Sequence, residues 1–384
     1  MHQSLRLTVI TTIKEFESLS DSWNGLLHDS TANVIHLTHE WFKSWWESSH
    51  QSNDLHIVVI SNSDNQIIAI APLMIADSSY RGIHVKKICF MADGHSPFCS
   101  FIIRKNKMAE SIPAIFHYLE TFQDWNMIVL QKFNSSDPTF ESLTDYLKQS
   151  KCLYGFKRSI ETPFIVIDSD WETFLQRRSP KFRKVLRNKM NRVKKIGDLS
   201  VERMEISGSE DNVLKEMLEI SENSWKRQIG TDLASNLNSK GFYMKLCDNL
   251  GPQGLIILWL LRKEGKAIAF EFHLTYNNVV YPIRADYDES FKSLSPGSIL
   301  ELNIFKALFD EAKVMEYNSC GHTYDYLLNW TDTTRKHFNI EIFSRNYLPY
   351  SLHTLEYNIL PLLRKLKLNK AVHYLKSNRL LKKL

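Results

Sequence analysis

The chain has 384 residues, 43% of them hydrophobic and 12% aromatic, and a formal net charge of +5 at pH 7. That length exceeds one ordinary core and implies two domains, while the composition excludes a disordered chain. So small a net charge does not mark a nucleic-acid binder, and any such role must rest on local clusters. Five scattered cysteines (Cys89, Cys99, Cys152, Cys247 and Cys320) without C-x-x-C spacing point to a reducing compartment rather than a disulfide frame or a structural zinc site. The N-terminal stretch lacks the apolar run of a signal peptide, and the longest apolar run, Leu255 to Leu261, is too short to cross a bilayer. The expected location is cytoplasmic.

In chain order, residues 5–10 read as a strand and 12–28 as a helix with Phe16, Leu19 and Trp23 on one face. The segment HLTHEWFKSWWESS, 36–49, reads as a helix capped by Thr38, with Trp41, Phe42, Trp45 and Trp46 on its apolar side. His36 and His39 lack a third ligand nearby, so they read as capping and packing residues, and no metal is expected. Strands at 55–60 and 66–75 flank a polar turn, with further strands at 85–91, 98–103 and 127–131, helices at 108–121 and 139–151, and extended chain at 160–167. This alternation makes 1–165 one α/β domain.

The second half, 166–349, opens on the strongest charge feature. Residues 177–195 hold ten Lys or Arg and no acid, with apolar residues at helical spacing, an amphipathic helix begun by Ser179-Pro180. Lys181, Arg183 and Arg187 are the candidate anion contacts; the plain alternative is a solvated face. A strand near 199–206, helices at 210–228 and 239–250, and a three-strand antiparallel meander ending in AIAFEFHLTYNNVVYPIRADYD follow. Ser-Pro-Gly-Ser, 295–298, then opens a helix to Ala312, and 313–320 reads as a strand. The amide N–H groups of that first helical turn have no partners, which suits a phosphate-bearing ligand. The tail, 350–384, reads as a basic helix that packs on the body or touches a membrane surface.

Four stretches in sequence carry a resemblance: HLTHEWFKSWW with IIAIAPLMI, then SPKFRKVLRNKMNRVKKIG, then GKAIAFEF with DYDESFKSLSPGSIL, and last EYNSCGHTYDYLLNW. Together they resemble the GNAT acyltransferase superfamily, in its CelD/BcsL-like cellulose-biosynthesis branch, related to the FemAB-type transferases. The resemblance implies mixed α/β architecture: two tandem GNAT-like domains with mixed, mostly antiparallel sheets flanked by helices. It implies an acyl-CoA donor, acetyl-CoA above all, whose pantetheine slots between splayed strands near 267–286 and 314–319. The pyrophosphate would lie on Ser295, Gly297 and Ser298. One departure stands out: relatives often carry Y-K-x-x-W, whereas this chain has Tyr326-Leu327-Leu328-Asn329-Trp330.

Acyl transfer needs an oriented acceptor, a base and a donor to polarise the carbonyl. Glu271, a carboxylate on an otherwise apolar strand, is the candidate base, unless it is a structural partner of Arg284. Arg284, Asp286 and Tyr287 are candidate contacts for a sugar or amine, or loop caps. Beyond the opposite strand, Tyr324 is a candidate acid for the departing thiolate, with Asp325 or His322 as an alternative base. Cys320 is a conceivable acyl carrier, and Tyr326 and Trp330 line either the acceptor pocket or the core. The expected function is acyl transfer to an amine or hydroxyl of a small molecule or a sugar or polysaccharide precursor. The alternatives are transfer from an aminoacyl-tRNA gripped by the basic helix, or a non-catalytic assembly role at a membrane surface.

Overall fold

The structure is a computed structural model describing residues 5–50, 52–122 and 124–366, the side chains of 192–196 excepted. The chain forms two compact units: residues 1–39, 50–160 and 336–384, and residues 40–49 with 161–335. The expected boundary near 165 falls inside a strand, because two strands carry the chain between the units. The end of the basic tail, from 367 on, lies outside the described residues.

In the first unit, β1 (Arg6–Ile10) is followed by α1 (Ile13–Glu17) and α2 (Ser20–His28), where the sequence suggests one helix. A break at Ser18 and Leu19 separates them. Thr38 directly precedes α3 (His39–Ser49) in extended conformation, after a 3-10 turn, and its hydroxyl donates to the Ile35 carbonyl at 2.8 Å. His36 and His39 are buried, His36 edge-on to Phe98 at 5.2 Å and His39 Nε2 3.0 Å from the Phe16 carbonyl oxygen. Then come β2 (Asp54–Leu55), β3 (Ile57–Ser61), β4 (Ile67–Ala71), β5 (Leu73–Tyr80), β6 (Ile83–Phe90), β7 (Ile102–Ile103), α4 (Met108–Phe122), β8 (Met127–Asn134) and α5 (Pro138–Gln149). They make a four-strand sheet, β1-β3-β4-β7, and a run β8-β6-β5-β2 whose β6–β8 pair is parallel. The expected strand at 98–103 shrinks to β7.

β9 (Leu153–Val166) leads into the second unit, which continues with α6 (Trp171–Gln176), α7 (Pro180–Ile196), β10 (Leu199–Glu205), α8 (Val213–Glu222) and α9 (Leu237–Leu250). Next are the meander β11 (Ile256–Lys263), β12 (Lys266–Tyr276) and β13 (Val279–Tyr287), then α10 (Pro296–Glu311), β14 (Glu316–Asn318) and α11 (Asp325–Leu328). The sheet order is β10-β11-β12-β13-β14-β9, antiparallel except for β13–β14. The meander's turns put Glu264, Gly265, Asn277 and Asn278 at positive φ, as tight hairpin turns demand. β12 is buried along nearly its whole length because α10 packs on one face and α8 on the other. Trp41 of α3 meets Phe242 of α9 edge-on at 5.1 Å, which is why residues 40–49 belong to this unit. Finally β15 (Thr334–Phe343) returns to the first unit and pairs with β8 from His337↔Asn134 to Phe343↔Met127. Sequence reading missed β15. It is followed by α12 (Tyr347–His353), a π-helical stretch and α13 (Leu360–Lys365). Among the described residues no helix is long and apolar enough to cross a membrane.

Candidate functional site

The second unit holds the features expected of a ligand cleft. β13 pairs with β14 only at Val279↔Glu316 and Val280↔Tyr317, then runs on to Tyr287 while β14 ends at Asn318. From Tyr281 to Tyr287 that edge of β13 has no strand partner among the described residues, so the two strands part. The chain leaving β13 makes a 3-10 turn capped by Asp288, whose side chain accepts from Ser290 N–H at 2.9 Å. It then reverses at Ser295, held at φ 59 and ψ 53, a left-handed conformation that costs a serine roughly 1 kcal/mol. α10 starts there with Pro296. Its first ladder bond runs from Ile299 N–H to the Ser295 carbonyl at 3.2 Å, so the amides of Gly297 and Ser298 lie ahead of the ladder. A Cβ on Gly297 would sit 3.8 Å from Tyr287 Cδ1, an ordinary contact, so the protein's own atoms do not demand glycine there.

Alternation along the strands sorts the predicted residues onto two faces. On the α10 face, Glu271 is buried and its Oε2 lies 2.9 Å from His273 Nε2; the Tyr317 hydroxyl stands at 3.5 Å from the same oxygen. Glu301, on the second turn of α10, reaches into the same region, where Trp330 Nε1–H donates to its Oε2 at 3.1 Å. Burial and the nearby charge of Glu271 push the Glu301 carboxyl up to about 8, against the pull of Trp330 and of Lys189 on α7. Burial, then the charges of Glu271 and Glu301, raise the Tyr317 phenol well above its ordinary range, and Tyr326 is raised by the same causes. Trp330 itself is core, with ring centroids 4.6 Å from Phe305 and 4.8 Å from Phe182.

The raised carboxyl has a measurable consequence. A group whose folded pKa exceeds its unfolded value adds stability below the unfolded value and loses it as pH climbs through the folded one. Glu301→Gln should therefore raise the melting temperature more at pH 9 than at pH 5. The stability difference accumulates at no more than about 1.4 kcal/mol per pH unit between those limits. Thermal denaturation across that range is the check.

Arg284 and Asp286 point to the opposite face. Arg284 does not pair with Glu271. Its Nε donates to Asp286 Oδ2 at 2.9 Å and its Nη2 to the Thr231 carbonyl at 2.9 Å. The fully buried Asp286 carboxylate also accepts from Ser221 Oγ at 2.8 Å and pairs with Lys226 Nζ at 2.5 Å. This closed ion cluster ties β13 to α8 and the turn after it. Neither Ser221 nor Lys226 could be foreseen from the sequence. Tyr287 stays on the α10 face beside Gly297, its hydroxyl donating to Glu289 Oε1 at 3.1 Å.

The segment after β14 presents an exposed group: Tyr324 and Tyr326 stack at 5.8 Å, and His322 meets Tyr324 edge-on at 6.4 Å. Asp325 is exposed at the start of α11. Cys320 sits at φ 56, and burial holds its thiol well above the usual range, a poor state for an acyl carrier. α7 is as expected, with Ser179 Oγ accepting from Phe182 N–H at 3.2 Å and Pro180 at the first position. Phe182, Leu186 and Met190 face the core, and Lys181, Arg183 and Arg187 form no ion pair among the described residues.

Residues 180–326 match the family model for the Acetyltransferase (GNAT) domain. No curated protein matches the chain by sequence. Solved structures do match by fold. FemX is 10% identical at TM-score 0.56, over 91% of this chain and 100% of its own. L-PGS from Bacillus licheniformis is 12% identical at TM-score 0.54, over 89% and 95%. A conserved protein from Bacteroides thetaiotaomicron, of unknown function, is 10% identical at TM-score 0.55, over 88% and 100%. The matched domain begins with α7 and ends with α11, so it contains the strand splay, the start of α10 and the Glu271 face. Residues 180–326 thus match a GNAT acetyltransferase domain model, within a fold similar to those of FemX and L-PGS.

Proposed function

We propose that the second unit transfers an acyl group, acetyl above all, from an acyl-CoA to an amine or hydroxyl of a small molecule or a sugar precursor. The observation that carries this reading is the parting of β13 and β14 directly before the free amides of α10. A splayed strand pair accepts an extended pantetheine-like chain by backbone hydrogen bonding, and a helix start accepts its pyrophosphate. Gly297 and Ser298 N–H would hold the phosphates. The thioester supplies an activated carbonyl; the protein supplies orientation and a base. Glu271, buried and held by His273, is our candidate for that base, and Tyr324 our candidate to return a proton to the thiolate.

Isothermal titration with acetyl-CoA and with free CoA tests the donor. Gly297→Asp puts a carboxylate beside the phosphates and should weaken binding at least about tenfold, or roughly 1.4 kcal/mol, with the fold intact by circular dichroism. Equal affinity in the variant would remove the phosphate assignment, and no binding of any CoA ester would remove the donor.

The unpaired cations of α7 favour a second reading, in which the donor is an aminoacyl-tRNA. Its signature is tRNA affinity that falls steeply with salt and is weakened by neutralising Arg183 and Arg187. Absence of tRNA binding at low salt would dismiss it.

A further inference from the structure

In the first unit, the chain after β15 exposes a face that the acyl transfer proposed above does not use. α12, the π-helical stretch (Thr354–Ile359) and α13 follow one another without a break, a helical run about 30 Å long to Leu366. Its inner side is buried. Pro349, Leu352 and Leu360 pack inward, and the Glu356 carboxylate accepts from Arg81 Nε at 2.8 Å and lies 3.4 Å from Lys157 Nζ. Its outer side carries Tyr347, 79% exposed, with Tyr350 and Ile359, then Leu362 and Leu366, 56% and 58% exposed. An α-helix turns about 100° per residue, so in unbroken α geometry Ile359, Leu362 and Leu366 would lie roughly a third of a turn away from the two tyrosines. The π stretch removes that offset. It takes about one residue more per turn, which sets the following side chains back by about 100° and brings all five onto one stripe. The π turn is pinned to the body by Glu356 and by the Tyr357 hydroxyl, which donates to Glu341 Oε2 at 2.9 Å.

We propose that this stripe docks the first unit on an anionic membrane surface. Tyrosines favour the headgroup level of a bilayer, where the ring is shielded and the hydroxyl stays wet, and leucines and isoleucine reach the acyl boundary beneath. The helical run lies along the surface and does not cross it, since its other side is committed to the protein core. Charge decides between lipid and a second copy of the chain as the cover. Arg345 stands two residues before Tyr347, Arg364 and Lys365 flank Leu362 and Leu366, and all three are exposed. From Tyr357 to the C-terminus the sequence has eight Lys or Arg and no Asp or Glu. Two copies meeting through this face would set those cations against their like, whereas anionic headgroups neutralise them. The proposal is independent of the donor chemistry of the second unit.

Co-sedimentation of the full chain with sucrose-loaded vesicles tests this. At about 0.1 M salt the protein should bind vesicles containing about one-third phosphatidylglycerol, and vesicles of phosphatidylcholine alone at least about tenfold more weakly. Leu362→Asp combined with Leu366→Asp should lower the partition coefficient at least about tenfold. Tyr347→Asp combined with Tyr350→Asp, at the end of the stripe away from the basic segment, should lower it at least about fivefold. All of these side chains are exposed, so the melting temperature of each double variant should match the wild type, which separates lost docking from lost folding. A wild-type chain that stays in the supernatant with anionic vesicles overturns the proposal. Undiminished binding in the tyrosine variant also overturns it, because the basic segment alone would then account for the attachment. Sedimentation equilibrium without vesicles covers the other occupant. A dimer that Leu362→Asp with Leu366→Asp abolishes, in a protein that ignores vesicles, gives the stripe to a second copy and overturns the membrane assignment.

Discussion

Replacing Glu271 by glutamine should reduce the rate of acyl transfer by roughly two to three orders of magnitude, with little change in donor affinity. Glutamine keeps the volume of the side chain and can still hydrogen-bond His273, so the packing of β12 against α10 survives. What disappears is the proton acceptor. Donor binding is spared because the amides of Gly297 and Ser298 belong to the start of α10 and not to β12. Single-turnover cleavage of acetyl-CoA, followed by thiol release, measures the loss, and titration calorimetry measures the affinity. A variant within twofold of wild type would assign the base elsewhere, with Asp325 and His322 the next residues to replace. The same substitution should let the Glu301 carboxyl fall back from about 8 toward the ordinary range, because the charge of Glu271 is one of the causes that raise it. The pH dependence of stability should shrink with it.

Gly155→Ala should be the most damaging single change in the first unit. A Cβ at that position would lie 2.0 Å from Tyr357 Cε1 and 2.1 Å from its Cζ, far inside any contact distance. The ring cannot simply swing aside. Its hydroxyl donates to Glu341 Oε2 at 2.9 Å, and its face stacks on His353 at 5.4 Å. The Glu341 carboxylate is buried and shared: Tyr80 donates to Oε2 at 2.8 Å and Lys157 to Oε1 at 2.9 Å, while Lys157 also reaches Glu356 at 3.4 Å. Displacing Tyr357 therefore loosens a network joining β5, β9, β15 and the helix after it. A loss of about 3 kcal/mol is expected, or roughly 6–12 °C in melting temperature for a unit of this size. Thermal denaturation measures it. In a Tyr357→Ala background the glycine should become almost replaceable, and a penalty unchanged in that background would refute the steric cause.

Glu271 was legible in the sequence because a carboxylate in the middle of AIAFEFHLT is out of place on any buried strand. The start of α10 was legible because Ser-Pro-Gly-Ser is a local signal. Glu301 was not, since a glutamate in a helix is ordinary until the partner strand is known to bring Glu271 beside it. Arg284 and Asp286 were candidates because they cluster where β13 ends, but their ion cluster with Ser221 and Lys226 depends on α8 packing, which no local pattern announces. The basic helix α7 was read correctly in extent because cap, proline and apolar spacing agree. β15 was missed because Lys336, His337 and Asn339 interrupt the apolar alternation of a strand whose pairing partner, β8, lies far away in sequence. The aromatic face of α3 was plain, yet periodicity announces a buried face without naming what buries it.

The path of the chain between its units bears on how the protein is made. The first unit acquires the strand beside β8 only when residues 337–343 have left the ribosome, and the second takes a helix from residues 40–49, made more than a hundred residues before its sheet. A nascent N-terminal half must wait with an open strand edge and a tryptophan-rich helix that has nothing to cover it. Neither unit can be completed from a contiguous fragment, so cutting the chain near 165 or 350 yields two incomplete pieces in place of two domains. Long-range closure of this kind slows folding and lengthens the exposure of apolar surface. The chain is thereby committed to completing both units late in its synthesis.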